Sequence, residues 1–236
     1  KLTSFKKNVE FGGKPPGQGA GVGIEMREIN SINNQFNEIK SKTGEKTVPI
    51  KIGDKVYRAA ACHKTPGVPK SDFHLTDEQG NEIVWMSHKE GSNPNDFQQW
   101  GGMTDSKIAN HPEAQSFIQK IQKMFPKGIS PATTMAREIE SKDLINYSVY
   151  GIDYNKRKIF SRDNVNIVLQ GSVRLVKQGK NWIFSSNHTL LNGERLTGGF
   201  VPVFMAIYKG DRSNFGVKGA RFAIQPKLSR KVTAWV

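Results

Sequence analysis

Asp72 and Lys89 bracket the run PKSDFHLTDEQGNEIVWMSHKEG, whose alternation is that of two short strands joined by a turn. Successive strand residues point to opposite faces, so Asp72, His74 and Thr76 share one face of the first strand, while Ile83, Trp85, Ser87 and Lys89 share one face of the second. A turn centred on Gln79 and Gly80 sets Asp72 opposite Ser87 and diagonal to Lys89. A carboxylate and an amine then converge at one end of a hairpin. Such a carboxylate suits a hard cation such as Mg2+, and an amine beside it can orient a water or stabilise a developing negative charge. Either residue alone is ordinary, since Asp is a common turn residue and Lys a common solvated strand end. Their pairing is what points to chemistry.

Other combinations do less. Cys62-His63 and Ser87-His88 are strand neighbours, which face opposite ways and cannot form a nucleophile and base dyad. His63, His74, His88, His111 and His188 show neither HExxH nor HxH spacing, which argues against zinc.

The elements around the hairpin can be read from periodicity. Ile29, Ile32, Phe36 and Ile39 recur at 3-and-4 spacing, predicting an amphipathic helix over 23–40 with Glu25 on its apolar face. Strand patterns follow at 47–52 and 55–62, joined by a Gly-Asp turn. Phe117, Ile118, Ile121 and Phe125 predict a second helix over 112–125, begun by Pro112 and stopped by Pro126. A weaker helix pattern, PATTMAREIESKDLI, starts near Pro131. From about Tyr147 onward the texture is mainly strand-like, and NHTLLNGERLTGG followed by GFVPVFMAIYKG suggests a long hairpin. The glycines of FGGKPPGQGAGVG precede a helix, but no strand feeds them and no Gly-Lys-Ser/Thr follows, so they form a lead-in and not a phosphate loop.

Charge narrows the partner. The 236 residues carry a formal net charge of +14. Residues 151–236 hold 15 Lys and Arg against 4 Asp and Glu, leaving 20 against 17 for residues 1–150. A basic half of this kind fits a polyanion, and nucleic acid is the expected partner, held by its backbone. Lys156, Arg157, Lys158, Arg162, Lys218, Arg221 and Arg230 are the expected contacts. No apolar run long enough for a membrane span and no leader pattern is present, and Cys62 is the single cysteine, which points to an intracellular setting, cytoplasmic or nucleoid-associated, or to association with a virion.

Taken together, an Asp at one strand start, a Ser-x-Lys triplet near the end of the next, and flanking helices resemble the PD-(D/E)XK nuclease superfamily. PKSD with Asp72 and SHK with Lys89 match its first and last motif positions, while Ser87 stands where the pattern has its second carboxylate. The resemblance implies an α/β fold with a restriction-endonuclease-like mixed sheet flanked by helices over 23–150. A flexible lead-in over 1–22 would precede it, and a mainly β, basic, DNA-contacting region over 151–236 would follow. It implies a metal-dependent DNA endonuclease of restriction, homing or repair type, using Mg2+ or Mn2+. Asp72 would be a metal ligand, Lys89 the catalytic cation and Ser87 part of the site. Glu25 would supply the missing carboxylate from the first helix, with Glu28 in reserve, and Gln98 or Gln99 would orient metal, water or substrate. Glu90 points to the other strand face and Glu82 lies at the far end of the strand. A homodimer is compatible with this pattern. The competing expectation is a non-catalytic DNA-binding or structural protein on the same core, which Ser87 favours.

Overall fold

Residues 20–97, 100–156, 158–197, 199–225 and 232–236 are described by a computed structural model, the side chains of residues 20–22 and 95 excepted. In chain order these residues form α1 (Ala20–Thr43), β1 (Val48–Ile52), β2 (Lys55–Ala59), β3 (Ala61–Lys64), β4 (Phe73–Thr76) and β5 (Glu82–Lys89). A short 3-10 turn at Pro94–Phe97 leads to β6 (Gly101–Gly102), α2 (Ser106–Ala109), α3 (Pro112–Met124), β7 (Thr134–Glu138) and α4 (Lys142–Tyr150). The remaining strands are β8 (Ile167–Gln170), β9 (Arg174–Gln178), β10 (Asn181–Ser185), β11 (His188–Leu191), β12 (Val203–Asn214), β13 (Val217–Gln225) and β14 (Ala234–Trp235). The fold is mixed α/β.

Three mixed sheets organise these elements. The central sheet has the order β11-β8-β5-β4-β3, in which β3, β4 and β5 form an antiparallel meander and β8 joins parallel to β5. A four-stranded sheet, β2-β1-β10-β9, and α1 cover one face of it through Phe73, Leu75, Val84 and Met86. On the other face, Val168 and the partly buried Trp85 join the core formed with α3, α4 and the sheet β14-β7-β12-β13-β6. Strands from both sides of residue 150 therefore share sheets: β8 lies beside β5 and β10 beside β1. The basic C-terminal part is woven into the core instead of following it.

The first helix does more than bury its stripe. Ile29, Ile32, Phe36 and Ile39 are buried as their spacing requires. Asn33 also exchanges two hydrogen bonds with the backbone of Cys62 on edge strand β3, at 2.8 and 2.9 Å. Gln35 does the same to edge strand β9, donating to Val173 O at 3.1 Å and accepting from Leu175 N at 2.7 Å. Two side-chain amides thus occupy strand edges that would otherwise present unpaired backbone groups. No helix among the described residues is long and apolar enough to cross a membrane.

Three sequence expectations are corrected. The pattern at 55–62 is two strands, because at Ala60 the chain leaves the first sheet for the central one, its N–H donating to Thr76 O. The pattern from Pro131 is strand β7 and then α4, since Thr134–Glu138 pair with Val203–Ile207 and tertiary pairing overrides local helix preference. The long hairpin is formed by β12 and β13, with β11 pairing instead with β8. Its turn uses Phe215 and Gly216, both at positive φ.

Candidate active site

The hairpin register is set by its turn and by a bulge at Ile83, where pairing passes from Thr76–Glu82 to Leu75–Val84. Asp77 Oδ1 accepts from the N–H groups of Gln79 and Asn81, and Gly80 takes the left-handed conformation at φ 84°. Phe73 then lies opposite Met86, His74 opposite Trp85 and Leu75 opposite Val84. Continuing this register brings Asp72 to Ser87, as the alternation implied. Ser87 Oγ donates to Asp72 Oδ2 at 2.9 Å, and the His88 N–H donates to the same oxygen at 2.6 Å. Because β4 begins only at Phe73, no strand carbonyl stands opposite His88 N–H, and the carboxylate takes that place. Both hydrogen bonds fall on Oδ2; Oδ1 accepts none among the described residues.

Lys89 closes β5 on the Ser87 face, half-buried and paired with Gln170 of β8. Its carbonyl accepts from Gly171 N at 2.8 Å. The Gln170 amide donates to the carbonyls of Glu90 and Asn93, at 3.0 and 2.7 Å, and so holds the loop that leaves β5. That loop runs toward Gln98 and Gln99, which lie outside the described residues.

Sequence reasoning gave Lys70 no role, although it sits within PKSD. Its amine donates to Ser148 O at 2.6 Å and Trp100 O at 3.3 Å, tying the strand β4 lead-in to α4 and to the start of β6. Burial of the amine and the nearby positive charge of Lys89 bring its pKa down to about 7, against the opposing pull of Asp72. Two amines and one carboxylate therefore share the hairpin end.

Glu25 is not brought to this cluster. Its carboxylate lies 3.2 Å from Lys64 Nζ, and Lys64 pairs with Phe73 on the face that α1 covers, whereas Ser87 and Lys89 point to the other. The reserve residue Glu28 is buried and accepts from Val173 N at 3.0 Å, a structural bond to β9. Among the described residues no three His, Cys, Asp or Glu side chains gather around one point. Mg2+ is nevertheless commonly held by one or two carboxylates together with waters and substrate phosphates. Asp72 Oδ1, beside the Ser87 hydroxyl, is the oxygen whose chemistry fits that cation.

The expected backbone contacts are dispersed. Lys156 is exposed and lies 3.4 Å from Asp153, while Lys158 is exposed in the loop before β8. Arg162 is committed to Glu82, with Nε 3.1 and 3.2 Å from its two oxygens. Lys218, exposed, and Arg221, half-buried, lie on β13 in the third sheet. Arg157 and Arg230 lie outside the described residues. No family model, curated protein or solved structure matches the chain.

Proposed function

We propose that the chain is a Mg2+-dependent deoxyribonuclease that hydrolyses phosphodiester bonds inside DNA. The observation that carries this reading is the Asp72–Ser87 pair at one hairpin end, with Lys89 two residues further along the same strand face, on a central mixed sheet with helices on both faces. Bound at Asp72, Mg2+ would neutralise phosphate charge and acidify a coordinated water. The chain's own residues prepare that position. Ser87 and the His88 N–H hold the carboxylate through one oxygen, which fixes its orientation. Lys89 supplies a positive charge for the phosphorane-like transition state. An intracellular setting accompanies this proposal.

A second reading has its own observation. Asp72 also completes the β5 ladder at His88 N–H, a purely structural service that a non-catalytic DNA-binding protein would need as much. Incubation with supercoiled, linear and single-stranded DNA, with Mg2+, Mn2+ or EDTA, separates the two. Metal-dependent cutting by wild type that is lost in Asp72→Asn and Lys89→Ala supports the nuclease. Binding without cutting under every condition leaves the second reading standing.

A further inference from the structure

The sheet β2-β1-β10-β9 carries charge that neither the hairpin nor the sequence-derived contacts use. Residues 48–59 and 174–185 hold six Lys and Arg against one acid, Asp54. Where this sheet splays away from β8 and β11, a groove of about 1070 Å³ opens. Lys51 and Lys55 of the sheet and Lys158 of the loop before β8 all line it. None of the three makes an ion pair among the described residues.

The lining also includes Tyr57, whose hydroxyl accepts from Asn166 Nδ2 at 3.1 Å, and the half-buried Phe160. Lys55 Nζ sits 5.0 Å from the centre of the Tyr57 ring. Asp54 and Glu194 are the acids on the rim. Amines around aromatic rings in an open channel are the recurring equipment for holding a single nucleic-acid strand, with phosphates on the amines and unpaired bases against the rings. A duplex keeps its bases stacked inside and leaves such rings unused.

We infer that this groove is a second nucleic-acid site that takes a single strand of DNA, separate from the hairpin end. The inference extends the DNA-directed reading above but does not depend on cleavage. Lys51, Lys55 and Lys158 contact phosphates, and Phe160 offers the ring most open to a base.

The test is fluorescence anisotropy of a labelled thymidine oligonucleotide in EDTA, so that no strand is cut, over a series of salt concentrations. The variant Lys51→Ala/Lys55→Ala/Lys158→Ala is expected to bind on the order of tenfold more weakly, with its log-log salt slope shallower by about 2, since each single-strand phosphate contact contributes roughly 0.7. The corresponding triple Arg variant restores binding, and circular dichroism checks that all three proteins are folded. Lys120→Ala/Lys123→Ala/Lys127→Ala, on and after the exposed side of α3, should bind like wild type. Unchanged affinity and slope in the groove variant, or equal loss in the α3 variant, would overturn the inference, as would a wild type that binds no single strand. Asp72→Ala serves as the separating control: loss of cutting with retained oligonucleotide binding assigns the two sites apart, and a wild type that binds but never cuts removes the nuclease reading alone.

Discussion

Ser87 Oγ and Asp72 Oδ2 are joined at 2.9 Å, with the His88 N–H on the same oxygen, so one carboxylate both closes a strand ladder and stands at the candidate site. These duties separate by substitution. Asp72→Ala leaves a half-buried N–H and a buried hydroxyl without their acceptor, and it should lower unfolding free energy by about 1–3 kcal/mol. Asp72→Asn keeps an oxygen at that place and should cost less. Both should abolish metal-dependent cutting. Urea unfolding read beside a plasmid assay distinguishes the effects, and an Asp72→Ala protein as stable as wild type would remove the ladder-closing role.

Glu25 and Glu28 make opposite predictions from the same helix. Glu25 holds a partly exposed ion pair with Lys64, so Glu25→Ala should cost about 1 kcal/mol or less and leave cutting unchanged. Glu28 is 5% exposed and accepts from Val173 N, so Glu28→Ala should cost about 1–3 kcal/mol. A large loss of cutting in Glu25→Ala, with stability intact, would return that residue to the site.

What was legible in the sequence followed from local period. The Ile29 to Ile39 stripe is enough to make α1, and strand alternation is enough to make the hairpin, but Asp72 reaches Ser87 through a one-residue bulge at Ile83 that the Asp77–Asn81 turn alone does not dictate. Where Glu25 points was not legible, because its partner Lys64 belongs to a strand whose place at the sheet edge depends on distant pairing. Lys70 was missed for the same reason: its acceptors at Trp100 and Ser148 are 30 and 78 residues away. Nothing local marks Ala60 as the crossing between sheets, or Thr134–Glu138 as a strand, since both are decided by partners elsewhere in the chain.

Lys70 should make stability depend on pH in the alkaline range. Its pKa lies near 7 in the folded protein and near 10.5 unfolded, so between those values the unfolded chain binds more protons. Unfolding free energy contributed by this group therefore rises as pH goes from about 7 to about 10.5. Lys70→Met, which cannot titrate, should lose that slope while also losing its two bonds to carbonyls. The measurement is the difference in urea midpoint between wild type and variant across pH 6 to 10.5. A difference that stays flat would mean that the amine titrates alike in both states.

Arg162, expected from sequence to hold DNA, should instead act on stability through Glu82. Its guanidinium beside Glu82, helped by the Trp85 indole N–H at 2.7 Å, brings that carboxyl down from 4.5 to about 2 despite partial burial. A depressed carboxyl pKa adds stability that is complete above the unfolded value and disappears as pH falls through the folded one, here between about 4.5 and about 2. The advantage of wild type over Glu82→Gln, on the order of 1–3 kcal/mol at neutral pH, should shrink over that window. Arg162→Ala should lose the same acid-dependent stability and bind DNA as wild type does, because in the folded protein this cation is already neutralised by a carboxylate. Chemical unfolding from pH 7 to 2, read with anisotropy on labelled DNA at neutral pH, decides it: a variant that unfolds like wild type but releases DNA would make Arg162 a nucleic-acid contact after all.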